Sequence, residues 1–200
     1  MGGDEMPFHH DSNVDVEQID DREWRLLREL RYEGKSQSFT VPAGSSTDFA
    51  SVPRAFVWFL PKYGRYTKAA ILHDHLWRVA VPAGELTLPD ADGIFRRAMR
   101  ELEVPFLRRW LMWAAVRIGA LAKPAGRRGW LRESWPVFPL ALLALPVVVL
   151  PGLVILVALA VFFVIEYVVY LPLRVVRRVQ QSRGGRPKAV NPPSLDLETT

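Results

Sequence analysis

The sequence holds one constellation whose residue types and spacing could do chemistry. In A-A-I-L-H-D-H-L-W, residues 69–77, His73 and Asp74 are adjacent, and in P-D-A-D-G-I-F-R-R-A-M-R, residues 89–100, Asp92 stands among apolar positions. On a helix His73 shares a face with Ala69, Leu76, Trp77 and Ala80, and Asp74 lies one position round. On a second helix Asp92 shares its stripe with Phe95, Met99 and Leu102, whereas Asp90 falls beside Arg97 and Glu101. The short loop between them permits an antiparallel pair with facing apolar stripes, which brings His73 to Asp92. A buried carboxylate on one ring nitrogen fixes a histidine's tautomer and leaves the other nitrogen to take a proton from water. The chemistry is that of a general-base dyad, His73 and Asp92. The same spacing also suits a satisfied core His–Asp pair or a helix N-cap, in which the residues only stabilise.

Asp74, joined by the loop V-P-A-G-S-S-T-D-F-A-S-V-P-R at 41–54, could hold a hard cation that polarises a substrate, with Asp48 as second ligand. Calcium is the first cation this oxygen set points to and zinc the second, although no H-x-x-x-H motif is present. His75 faces away from His73 and is assigned no role. His9-His10-Asp11 reads as flexible tail rather than a metal site. No cysteine is present, which excludes disulfides, thiolate metal sites, iron–sulfur clusters and a cysteine nucleophile. The G-x-S-x-G elbow, the Walker loop and the dinucleotide fingerprint are also missing.

The elements that must position these residues read as a mainly α domain with a small N-terminal β-hairpin (α+β), followed by a C-terminal transmembrane helix or helical hairpin. Residues 1–21, with seven Asp or Glu and no Lys or Arg, read as a disordered acidic arm. Residues 22–122 form the soluble domain. Within it Trp24–Tyr32 and Gln37–Val41 are extended runs about a turn at Glu33-Gly34-Lys35-Ser36, with a helical turn over Trp24–Leu30 as an equal alternative. Helices follow over Phe56–Leu60, Tyr66–Val79, Asp90–Leu102, with Thr87 or Asp90 as N-cap, and Phe106–Leu121. An aromatic cluster of Phe56, Trp58, Phe59, Trp77 and Phe95 is the expected core. Residues 123–134 form a basic linker and 174–200 a basic, then polar, tail.

From Trp135 to Leu173 the only charged residue is Glu166, and this run is nearly twice the roughly 20 residues that cross a bilayer. Pro146, Pro151 and Gly152 in its middle favour a hairpin that reverses there, with a single span over Leu153–Leu171 as the alternative. Basic residues flank it on both sides, from Arg117 to Arg132 and from Arg174 to Lys188, which for a hairpin puts both flanks in the cytoplasm. Trp110 and Trp113, with Arg108, Arg109 and Arg117 on the fourth helix, and Trp135 and Arg174 at the ends of the run, suit the level of anionic headgroups. Alternatively Leu107, Trp110, Leu111, Ala114 and Ile118 form a core-facing stripe. The net charge of +5 brings nucleic acid to mind, but aromatics on one amphipathic helix beside a bilayer segment fit lipid better than a base-stacking platform. The expected partner is the bilayer, not nucleic acid.

VPAG, TDFASVPR, a short aromatic helix, AAILHDHLW, ADGIFRRAM and VPFLRRWLMWAAVRIGA occur in that order, and together they resemble the phage and prophage family called domain of unknown function 1353, over residues 24 to about 120. The family pattern has a glycine after the TD pair, where this chain has Phe49, and a tyrosine-like end to the HD helix, where it has Trp77. That resemblance implies a phage or prophage gene and no particular reaction. A weaker similarity is to secreted phospholipase A2, and it implies His73 as base, Asp74 as calcium ligand and Asp92 as orienter, although the glycine-rich calcium loop and the cysteines are missing. Three functions are therefore expected to compete. One is a metal-assisted hydrolase of phospholipid esters at the bacterial inner membrane. Another is a zinc-dependent peptidoglycan peptidase using Asp48, His73, Asp74 and Asp92. The third is a noncatalytic membrane or virion accessory protein.

Overall fold

A computed structural model describes residues 8, 13–35, 37–49, 57, 60–61, 63–183 and 191–194. The N-terminal part is built of short antiparallel strands: β1 (Val16–Gln18), β2 (Trp24–Leu26), β3 (Leu30–Glu33), β4 (Ser38–Val41) and β5 (Ser46–Thr47). β3 and β4 form the expected hairpin, with Leu30 opposite Val41 and Tyr32 opposite Phe39, so alternate residues face the core. The extended run Trp24–Tyr32 is broken between Leu26 and Leu30, and β2 joins a separate sheet in the order β1-β2-β5.

The acidic arm is not disordered throughout. β1 pairs with β2, and acids in and just before β1 meet arginines in and just after β2: Glu17 lies 2.9 Å from Arg25, and Asp15 3.0 Å from Arg28. Phe8 is buried against Tyr32, with ring centroids 5.2 Å apart. Charge complementarity and one aromatic anchor thus order a stretch whose composition alone reads as solvated. His9 and His10 lie outside the described residues.

The helical part packs α1 (Thr67–His75), which runs on as a π turn over Leu76–Ala80, against α2 (Leu88–Glu101), and α2 against α3 (Phe106–Gly119). α2 starts where Thr87 caps it: the threonine hydroxyl accepts from Asp90 N while the Asp90 carboxylate accepts from Thr87 N, a reciprocal capping box. The core joins Ile71, Leu72 and Leu76 of the first helix to Ile94, Phe95 and Met99 of the second, over Leu30, Tyr32 and Val41 of the hairpin. Of the expected aromatic cluster, Phe95 is in this core and Trp77 packs on it, whereas Phe56, Trp58 and Phe59 lie outside the described residues.

After α3 come the short helices α4 (Pro124–Arg127) and α5 (Trp130–Glu133), then α6 (Val137–Ala144), a π turn over Leu145–Val149 and α7 (Leu150–Ser182). The last three are one continuous helix of 46 residues, long and apolar enough to cross a membrane and almost wholly exposed. The favoured hairpin is therefore corrected. Pro146 and Pro151 remove backbone donors, but the helix absorbs the loss by widening into a π turn, and Gly152 stays helical. Proline alone bends a helix; reversal needs several residues outside helical dihedrals, which this leucine- and valine-rich stretch does not supply.

Candidate functional site

The antiparallel packing of α1 on α2 turns both apolar stripes inward, and His73 Nε2 lies 2.8 Å from Asp92 Oδ1. Asp92 is fully buried, and the His73 side chain keeps 12% of its surface exposed. The histidine ring is held between Phe95 and Trp77, with centroid distances of 4.9 and 6.5 Å.

The other Asp92 oxygen, Oδ2, accepts from Arg117 Nη1 at 3.0 Å. Arg117 is itself buried, donating from Nε to Ser134 Oγ at 2.7 Å and facing Glu133 at 3.4 Å, while its backbone carbonyl accepts from Trp130 Nε1 at 2.6 Å. Set against a carboxylate, Nε2 is the nitrogen placed to donate, and in the neutral ring that leaves the lone pair to Nδ1. Nδ1 makes no hydrogen bond among the described residues, and His73 lines a cavity.

Arg117 corrects the expectation that it faces headgroups or counts among the flanking charges. It falls four residues after Trp113 and seven after Trp110, and that inward register is the signal by which the sequence could have revealed it. Trp113 is buried too, packing with Ala114, Trp130 and Val137 rather than facing outward. Trp110 is half-buried beneath the Arg96 guanidinium, 4.0 Å from the ring centre. Arg108, Trp135 and Arg174 are exposed, and Arg109 is half-buried.

The loop carrying Asp48 reaches the same place. Thr47 Oγ1 donates to Asp74 Oδ2 at 2.5 Å and accepts from Phe49 N at 2.9 Å. Asp48 hydrogen-bonds Asp74, and Arg78, which also holds Glu23 and Ser46, is 3.9 Å from Asp48. Burial first, and then the charge of Asp48, hold the Asp74 carboxyl well above the usual carboxylate range, against the opposing pull of Thr47 and Arg78. Phe49, where the resembled pattern has glycine, sits at a φ of +62°. A glycine takes that left-handed backbone freely; Phe49 is held in it by burial against Trp24 and Tyr63.

The donors Asp48, Asp74 and Thr47 are all oxygen and suit calcium better than zinc. Among the described residues no group of three or more His, Asp or Glu side chains is gathered as a metal site. Asp92, with both oxygens engaged, is withdrawn from the four-ligand zinc set.

The cavity has a volume of about 800 Å³. Asp48, His73, Asp74 and Arg78 form its polar end, and the rest is apolar: Phe49, Leu60, Ala70 and Trp77 beside that end, then side chains of α2, α3, α6 and the π turn after α6. That size lies within the roughly 300–1,000 Å³ of small-molecule sites.

Residues 24–116 match the model of the family DUF1353, described as a protein of unknown function, which is the resemblance carried by the VPAG, TDF and HDH blocks. Neither a curated protein nor a solved structure matches the chain, and the similarity to phospholipase A2 finds no support.

Proposed function

We propose that this chain, a domain resembling a family of unknown function joined to a long apolar helix, is a membrane-anchored hydrolase of lipid esters. One observation carries the reading: the His73–Asp92 pair stands at the polar end of an apolar cavity whose far wall is the start of the apolar helix. That helix is almost wholly exposed within the chain, so lipid is the solvent that satisfies it. At about 1.5 Å per residue its 46 residues reach roughly 69 Å, twice a hydrocarbon core of about 30 Å. The part packed on α3 accordingly remains with the domain, and the stretch after Leu150 crosses the bilayer, here the inner membrane of a bacterial host.

In this reading His73 Nδ1 takes a proton from water as the water oxygen attacks the ester carbonyl carbon. Asp92 fixes the ring so that Nδ1 faces the substrate, and Arg117 holds the other Asp92 oxygen in place. Returned from Nδ1, the proton goes to the departing alcohol, so base and acid are the same residue. Asp48 and Asp74 would hold a hard cation, calcium by preference, which when bound supplies polarisation of the carbonyl.

A second reading, the noncatalytic accessory protein, is favoured by Arg117 itself. The buried Arg117 ties Asp92 of α2 to Ser134 and Glu133, a network that joins elements of the fold whether or not His73 does chemistry. The deciding experiment is fatty-acid release from phosphatidylglycerol and phosphatidylethanolamine vesicles by the full chain, with calcium and with chelator. Release that His73→Ala abolishes supports the hydrolase. Its absence under every condition leaves the accessory reading.

A further inference from the structure

The geometry points to a binding groove for one acyl chain of a bilayer lipid, formed between α3 and α6. This rests on the membrane part of the proposed function and names what its cavity holds. Val137, Ala141, Ala144 and Val148 line the cavity at spacings of four, three and four residues, which is one face of a helix. Across from them α3 contributes Ala115, Ile118 and Gly119, also small or slender side chains. Two packed helices would normally close over such residues; here they leave an apolar slot that forms part of the cavity of about 800 Å³. Water gains little in a slot so poor in polar groups, and a hydrocarbon chain gains dispersion along its whole length.

Length identifies the occupant. From Val137 to Val148 the helix rises about 16 Å, close to half of a hydrocarbon core of about 30 Å, the depth occupied by one leaflet's chain. Direction agrees with it. The slot ends at Val148, immediately before the exposed apolar surface of α7, so a chain can slide in sideways from lipid. Its other end stops at His73, Asp74 and Asp48, where an ester carbonyl would come to rest.

The test uses the full chain carrying His73→Ala, reconstituted in phosphatidylglycerol and phosphatidylethanolamine vesicles doped with a phospholipid bearing a diazirine in mid-chain. Cross-links are mapped by mass spectrometry. Labelling at Ile118 and Ala144 is expected, besides the general labelling of α7. Val148→Trp, which plugs the lipid end of the slot, should lower labelling at Ile118 at least fivefold and leave α7 labelling unchanged. Ala144→Trp provides a second plug with the same expected result. Labelling confined to α7, or Ile118 labelling that survives both plugs, overturns the groove. Because His73→Ala is the background throughout, a lack of hydrolysis cannot produce those outcomes. Failure of the chain to stay in the vesicles would instead overturn the membrane reading on which the groove rests.

Discussion

Arg117 Nη1 lies 3.0 Å from Asp92 Oδ2 while His73 Nε2 lies 2.8 Å from Asp92 Oδ1, so a permanent cation and a histidine share one buried carboxylate. The two partners are not equivalent. Removing His73 leaves Asp92 paired with Arg117, and His73→Ala should cost only about 1 kcal/mol, the net worth of one hydrogen bond. Arg117→Ala strands Asp92 in the core and also leaves Ser134 without the guanidinium it accepts from, while the backbone carbonyl that accepts from Trp130 stays, so about 3–5 kcal/mol is expected. Denaturant unfolding of the detergent-solubilised chain checks this. Equal losses for both variants would mean that Asp92 is held chiefly by the histidine.

The same arrangement separates positioning from catalysis. His73→Ala should lower kcat for ester hydrolysis by at least about 100-fold, the usual contribution of a general base. Arg117→Lys keeps the charge and loses the planar fork that engages Asp92 and Ser134 together. It should lower kcat while leaving KM unchanged, and the His73 ring should show a mixture of tautomers by ¹⁵N NMR. A single tautomer in Arg117→Lys would remove Arg117 from the positioning of His73.

The facing pair His73 and Asp92 was legible in the sequence because both sit on helical stripes of apolar residues, and helical period is a local signal. Thr87 as N-cap, the β3–β4 pairing and the helices α1, α2 and α3 were legible because their signals are local too, whereas the expected helix at 56–60 falls mostly outside the described residues. What escaped depended on partners distant in the chain. Phe8 and β1 are ordered by Tyr32 and by arginines of β2 and the turn after it, and Arg117 is drawn inward by Asp92, twenty-five positions earlier. Continuity through Pro146 and Pro151 escaped because a proline marks lost backbone bonds without saying whether the helix bends, widens or stops.

Asp74 gives the chain a pH dependence of definite sign. Burial and Asp48 raise its affinity for a proton when folded, so the unfolded chain binds fewer protons once pH passes about 4, the ordinary aspartate value. Stability from this group is therefore full below that value and declines as pH rises toward the elevated folded value. Asp48→Asn removes the neighbouring charge and should make the decline shallower. Melting temperatures measured from pH 4 to pH 8 would show it, and parallel curves for the two proteins would mean that burial alone raises Asp74.

A final expectation concerns how many times the chain crosses the bilayer. A reversal near Pro151 would return Arg178 to the side of Arg128, whereas the continuous helix from Val137 to Ser182 carries it away. From Leu150 to Leu173 the rise is about 35 Å, enough for one crossing with slight tilt. Burial of some twenty apolar side chains then outweighs the cost of the lone Glu166, which at a helix centre is a few kcal/mol. The chain should stay in membranes washed with alkaline carbonate. Because it has no cysteine of its own, single cysteines placed at Arg128 and Arg178 report without background. Membrane-impermeant maleimide added to sealed vesicles should label one and spare the other. Labelling of both from the same side would restore the hairpin and require the helix to break at Pro146 or Pro151 in lipid.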